Sequence, residues 1–254
     1  ALMTNPELEY QAPLQDMAFL LNEMSDEPRE ADEKEELLFV LDQAARFAEQ
    51  ELVPINSECD SQGCQLIDGQ VSLPASMKKS FESYAQAGWM GLCMPEQWGG
   101  QNQSETLGSF VGELLTSANH AFSMTPALTM SACRALIGYS SNELKQTYLS
   151  KMIAGEWTGT MCMTEAHCGS DLGLIRSSAS TNADGSYHIK GSKIFISAGS
   201  HDAASNIIHL VLARIKDAPA GIKGLSLFLV PTQLQNSEGL WIKDNAVHCI
   251  GIEE

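Results

Sequence analysis

Two stretches carry side chains and backbone able to meet a ligand. Residues 161–171 read MCMTEAHCGSD and residues 191–199 read GSKIFISAG. The first passes from apolar Met161, Cys162 and Met163 to small and polar Thr164, Gly169, Ser170 and Asp171, as a strand does when it ends in a ligand-facing loop. Such a loop offers backbone N–H groups and hydroxyls, and its glycine lets backbone come close, which suits a planar or phosphorylated small molecule. The spacing alone names no ligand. Without further context Phe195 and Ile196 read as alternating strand core, and Thr164 and Ser197 as strand hydroxyls bonded to backbone.

Other chemistries fit less well. Cys168 beside His167 has the parts of a thiol acyltransferase, but sequence neighbours rarely form a base and nucleophile pair, and no oxyanion-hole motif accompanies them. A metal cluster of Cys162, His167 and Cys168 has too few ligands, and Cys59 and Cys64 read as loop cysteines, so no metal is expected. A third stretch, GWMGLCMPEQWGGQ at 88–101, reads by itself as packing of Trp89 and Trp98 around a Gly-Gly turn.

Together and in this order the three stretches resemble the acyl-CoA dehydrogenase family. Residues 164–171 resemble its T-E-P-x-x-G-S-D signature, with Ala166 in place of Pro, a change expected to make the loop less rigid. Lys193, Phe195, Ile196 and Ser197 resemble its K-(W/F)-I-(S/T) strand, and 88–101 its G-x-x-G-(L/I)-x-x-P-E-x-(W/Y)-G-G segment. The opening helix and the MTEAHCGSDLGLIRS run resemble the large bacterial members, whose substrates include 3-methylmercaptopropionyl-CoA.

The resemblance implies oxidation of an acyl-CoA to a trans-2-enoyl-CoA: a Glu base takes the α-proton while the β-hydrogen leaves as hydride to the N5 atom of FAD. It implies that Met161, Met163 and Thr164 lie along the flavin, with Thr164 at the pyrimidine edge. Phe195 and Ile196 would pack by the ring, Ser197 would bond near N5, and Gly169 and Ser170 would border the thioester and pantetheine. Neither Glu165 nor Asp171 is the family's base; Asp171 is expected to cap or brace the loop. No residue of this chain matches the base, which the family carries in a C-terminal helical bundle, so the chain is expected to be an N-terminal fragment. Electron-transfer flavoprotein is the implied electron acceptor and a homo-oligomer the implied assembly. A non-catalytic acyl-CoA or flavin binding module, and an acyl-CoA oxidase of the same fold, remain open alternatives.

The elements that must position these stretches follow from hydrophobic periodicity. Leu14, Met17, Ala18, Leu21 and Met24 predict a short helix after Pro13. A charged linker is expected over 26–36, then a helix whose stripe runs from Leu37 to Leu52 and ends at Pro54. A polar loop is expected over 56–71, followed by helices over 76–87, 105–117, 121–138 and 142–153. The helix over 121–138, small-residue-rich on all faces, should be central. From Gly155 short β-branched runs at 158–165, 175–181, 187–197, 206–214 and 225–231 predict strands, with Asp184-Gly185 as a hairpin turn. The expected fold is α+β: an all-helical domain, 1–155, then an antiparallel β-barrel domain, 156–254.

Composition bounds the rest. A chain of 254 residues with 44% hydrophobic content buries at least one sizeable core. Pro126, Arg134 and several hydroxyls make 121–138 a buried helix and not a membrane span, and no basic, apolar leader opens the chain, so a soluble cytoplasmic protein is expected. Seven cysteines, odd in number and irregularly spaced, are no disulfide framework. The formal charge of −17 disfavours nucleic acid, and it is uneven: residues 1–75 hold seventeen acids against three Lys/Arg, whereas 158–254 hold nine against seven. An anionic thioester is tolerated best by the second region.

Overall fold

A computed structural model of the protein describes residues 10–24 and 30–253. Helix α1 (Leu14–Phe19) continues through a wide turn at Leu20–Met24 and buries Met17 and Leu21. Residues 26–29 of the expected linker lie outside the described residues, but 31–36 are helical. They open α2 (Ala31–Phe47), where Glu33 Oε2 accepts the Glu30 N–H at 3.2 Å and satisfies an N-terminal donor. Nor does the helix stop at Pro54: a wide turn at Ala48–Leu52 leads from α2 into α3 (Val53–Gln62). Pro54 falls in the first turn of α3, where no N–H is required, and the wide turn makes room for its ring. Cys59, expected in a loop, is therefore a buried helix residue. The Asp68-Gly69 dipeptide, both residues at positive φ, then closes a hairpin of β1 (Gln65–Ile67) and β2 (Gln70–Ser72).

The remaining helices are α4 (Ala75–Gln86), α5 (Glu105–Ala118), α6 (His120–Tyr139) and α7 (Asn142–Ile153). Ser104, Asn119 and Ser141 cap the last three, each side chain accepting a backbone N–H of the first turn. Leu41, Ala44, Leu52, Leu107, Leu114 and Phe122 form a buried core, with Tyr84 edge-on to Phe122 at 5.6 Å. In the 88–101 segment a Cβ on Gly100 would lie 2.0 Å from the Met94 carbonyl oxygen, so the Gly-Gly turn cannot carry a side chain there.

The β region comprises β3 (Trp157–Cys162), β4 (Ser178–Thr181), β5 (Tyr187–Lys190), β6 (Asn206–Ile215) and β7 (Leu225–Pro231), with a separate hairpin of β8 (Gln233–Gln235) and β9 (Trp241–Asp244). The five-stranded sheet is mixed where an antiparallel one was expected. Strand β6 pairs with β7 antiparallel, but with β3 and with β4 in parallel. The reason is the near-continuous apolar run of β6, whose residues Asn206–Leu210 are all buried. It forms the centre of the sheet and accepts partners along its whole length. Because β7 occupies one edge of β6, β3 and β4 share the other: β3 opposite 206–211, β4 opposite 214–215. The chain between them, 163–177, leaves the sheet where one partner stops and returns where the next begins. The expected strand over 187–197 is extended only to Lys190, and residues 191–196 are irregular.

Sheet and helices share a second core. Trp157, Ile208 and Leu210 pack on Leu136, Leu149, Met152 and Ile153, and Trp241 closes it edge-on to Trp157 at 4.7 Å. Strand β3 lies directly on α6, where Thr129 Oγ1 accepts the Gly159 N–H at 3.0 Å. Small residues on α6 make that approach possible, consistent with its expected central place. A further link is Asp202, which accepts from Ser72 Oγ, the Leu73 N–H and Lys78 Nζ at 2.8–3.0 Å. No described helix is long and apolar enough to cross a membrane.

A Cβ on Gly159 would meet Ala132 Cβ at 2.7 Å and Met152 Cε at 2.9 Å. Gly159→Ala is therefore expected to push β3 off α6 and to lower the unfolding free energy by roughly 1–3 kcal/mol, the usual cost of overpacking. Urea titration checks it; an unchanged midpoint would mean that the two layers are not in contact there.

Candidate functional site

The two motif segments are joined by a buried ion pair. Glu165 and Lys193 are 5% and 10% exposed, with Lys193 Nζ 2.8 Å from Glu165 Oε1. The remaining capacity of the carboxylate is used by backbone: the Arg176 N–H donates to Oε2 at 2.8 Å and the Ser177 N–H to Oε1 at 3.0 Å. Burial alone would raise the Glu165 pKa, but Lys193 and the donors on Ser177 and Arg176 outweigh it and hold the carboxyl at about 2. Lys193 also donates to the Met163 carbonyl at 3.0 Å, and the Ile194 N–H donates to the Thr164 carbonyl at 3.0 Å. One acid thus fixes both ends of the excursion from the sheet, and one lysine ties it to the second segment.

The excursion is a tight turn. Glu165 and Cys168 exchange both backbone hydrogen bonds, at 2.9 and 3.0 Å, with Ala166 and His167 at the tip. Ala166 occupies the position where a proline would only pre-set φ, so the paired backbone and the Glu165 carboxylate close the loop in the absence of the ring. His167 Nε2 lies 3.0 Å from the Leu174 carbonyl, an acceptor, so Nε2 carries the proton. Asp171 Oδ1 accepts the Gly173 N–H at 3.0 Å and braces the next turn, the role expected for it. Arg214 donates to the carbonyls of Gly173, Pro219 and Gly221, holding the loop that leads to β7.

Around this frame the expected site residues fall into two groups. Met163 and Phe195 are exposed, Phe195 at 68% and in a left-handed conformation with φ 59°. That backbone turn is why the second segment is no strand; Gly199 then closes a turn onto the Ile196 carbonyl. Ser197, Gly169 and Ser170 are exposed, and Thr164 and Ile196 half-buried. Among the described residues the hydroxyls of Thr164 and Ser197 bond no protein group. Met161 differs, since it packs against the core between sheet and helices. The surface is open: a groove of about 800 Å³ lies elsewhere, between α4 and residues 202–205, and no motif residue lines it. The two joined segments thus carry an exposed aromatic ring, an exposed thioether and two hydroxyls free of protein partners among the described residues, the groups that a flat ligand with polar edges would use.

Beside β3, on its partner β6, His209 anchors a buried polar row. His209 Nδ1 is 2.7 Å from Thr160 Oγ1 and 3.7 Å from Cys162 Sγ, and His209 Nε2 is 3.2 Å from Thr232 Oγ1. Burial pushes the Cys162 thiol up, away from the thiolate a nucleophile needs. Glu165, His167 and Cys168 place ligand atoms within 4.8 Å of one another, but the Lys193 ammonium on Glu165 opposes a second cation there. Glu165 and Lys193 were in view in the sequence only as motif letters. Nothing local in either segment signals that the two charges meet.

Comparison with known proteins places these elements. Residues 33–156 match the acyl-CoA dehydrogenase N-terminal domain and residues 160–250 the acyl-CoA dehydrogenase middle domain. A Ruegeria pomeroyi protein named 3-methylmercaptopropionyl-CoA dehydrogenase is 37% identical over 97% of this chain and 43% of its own length. A Syntrophomonas wolfei butyryl-CoA dehydrogenase is 36% identical over 80% of this chain and 34% of its own. The chain thus spans less than half the length of these relatives. The crystal structure of an acyl-CoA dehydrogenase from Geobacillus kaustophilus superimposes with a TM-score of 0.64 at 25% identity, covering 77% of this chain and 48% of that one.

Acid should dismantle the frame in two stages. Burial pushes both His201 and His209 down to about 4, below the ordinary value near 6.5, so the unfolded chain takes up protons that the folded one refuses. Stability is expected to fall from about pH 6.5 toward pH 4 on this account. Glu165 acts lower: its contribution, on the order of 3 kcal/mol, is complete above its ordinary value and is lost as pH falls toward about 2. Urea midpoints measured from pH 7 down to pH 3 check this, and Glu165→Gln should reduce the slope only below about pH 4.5, where Asp202, also held at about 2, still contributes. A flat profile from pH 7 to 4.5 would mean that the histidines are not held neutral.

Proposed function

The chain belongs to the acyl-CoA dehydrogenase family, and from that premise we propose that it forms the helical and β part, divided at Gly155, of an FAD-dependent enzyme that oxidises an acyl-CoA to a trans-2-enoyl-CoA. One observation carries the reading. Met163 and Phe195 are exposed, and among the described residues the hydroxyls of Thr164 and Ser197 bond no protein group, on two segments joined by Lys193 and Glu165. That is a wall for a flat ring with donors along its edge. Met163 and Phe195 would hold the isoalloxazine face, with Ile196 beside them and Met161 contributing from the core side. Thr164 and Ser197 would bond its polar edge, and Gly169 and Ser170 would face the thioester. Bound there, FAD supplies the hydride acceptor for αβ-dehydrogenation.

The residues present divide the labour in a definite way. Glu165 is unfit as a base, because both its oxygens are engaged and its pKa is held at about 2. Asp171 is committed to Gly173. With neither of these two available, and as the likeness to the family implies, we take the group that accepts the α-proton to lie outside these 254 residues. Likeness to the Ruegeria pomeroyi protein along nearly the whole chain supports 3-methylmercaptopropionyl-CoA as the substrate. The same reading makes electron-transfer flavoprotein the electron acceptor and a homo-oligomer the working form.

Two outcomes test the proposal. Thr164→Ala and Ser197→Ala in the whole protein should each weaken FAD binding by roughly 1 kcal/mol, a single lost hydrogen bond, with the fold intact. Flavin titration by absorbance and fluorescence measures this, and unchanged affinity and spectrum in both variants would remove these residues from the site. The 254 residues alone, given excess FAD, a panel of acyl-CoAs and a dye acceptor, should turn over no substrate. Turnover would place the base among them.

A further inference from the structure

The Lys193 ammonium does more than close an ion pair. It donates to the Met163 carbonyl at 3.0 Å while held by Glu165 at 2.8 Å, so its position is fixed from two sides. The Met163–Thr164 peptide is trans, so the Thr164 N–H points opposite to the Met163 carbonyl, away from Lys193 and the buried pair. Among the described residues that N–H meets no protein acceptor, whereas the Thr164 carbonyl is taken by Ile194. A cation bonded to the carbonyl end of a peptide draws electron density toward the oxygen and strengthens the N–H at the other end as a donor.

We propose that Lys193 is a positioning residue that aims and polarises the Thr164 amide, making it the strong donor on the flavin-facing edge, with Glu165 as the group that holds the lysine in place. This rests on the reading of Thr164 as a flavin contact. The flavin gains negative charge on its pyrimidine edge when reduced, so a stronger donor there favours the reduced form. Lys193 thereby raises the tendency of the cofactor to accept the hydride without touching it.

The test separates the ion pair from the flavin assignment. Lys193→Met alone would leave Glu165 charged and buried, so the informative variant is Lys193→Met with Glu165→Gln, which removes both charges together; Lys193→Arg, with Glu165 intact, keeps both. In the isotope-labelled 254-residue chain without cofactor, the Thr164 amide proton and the Met163 carbonyl carbon should both move upfield in the double variant and return toward wild type in Lys193→Arg. In the whole FAD-loaded protein, the double variant should favour the reduced flavin about tenfold less, a midpoint potential more negative by roughly 30 mV for a two-electron couple. An amide and carbonyl that do not move overturn the proposal whatever the flavin does. A moved amide with an unmoved potential overturns the tuning of the cofactor and faults the placement of Thr164 at its edge. A wild-type protein that holds no FAD counts against the family reading of the site and leaves the amide measurement to decide the ion pair.

Discussion

The buried contact between Lys193 and Glu165 constrains everything built on the β region. A buried charge pair is favourable only when the geometry is good and the remaining lone pairs and protons are also satisfied. Here the carboxylate takes two further backbone N–H groups and the ammonium donates to a backbone carbonyl, so the pair is integrated with main chain on two segments, at 163 and at 176–177. Removing one partner would leave the other charged in a dry place. That penalty makes the meeting of 163–165 with 193–194 obligatory, and the β4–β5 hairpin must turn back within the intervening residues.

The ion pair in turn needs a rigid seat, which the sheet obtains from the helices. Strand β3 lies on α6 at Gly159, and its free edge is satisfied there by the Thr129 hydroxyl. Because β3 and β4 succeed each other along one edge of β6, the segment between them is held at both ends by regular structure while its own backbone is free to turn. Irregular backbone with exposed side chains is thereby placed at a defined position. On the neighbouring strand β6, buried His209 meets the hydroxyls of Thr160 on β3 and of Thr232 just after β7, so β3 carries no unmet polar group at Thr160.

Charge distribution agrees with this division. The acidic excess lies in the first 75 residues, ahead of the motif segments in sequence, whereas the β region is nearly balanced. Among the described residues the buried acid of the motif segments, Glu165, is paired with Lys193, so the surface proposed to meet a ligand is made mainly of hydroxyls, glycine, an aromatic ring and a thioether.

Much of this was legible in the residues alone. Apolar stripes located the helices over 76–87, 105–117, 121–138 and 142–153 to within a residue or two, because helical periodicity is a property of neighbours along the chain. The motif letters carried the family for the same reason. What neighbours do not encode came only with the tertiary structure. Pro54 reads as a helix stop, yet a wide turn before it lets the helix continue. The run 191–197 alternates like a strand, yet Phe195 adopts a left-handed conformation because Lys193 is drawn inward to Glu165 and Ile194 to Thr164. Strand β6 reads as one apolar run among several, and only packing makes it the centre with two parallel partners. Each of these depends on groups far apart in sequence, whose meeting is decided by burial and by the satisfaction of buried charge and backbone, quantities that exist only once the chain has closed on itself.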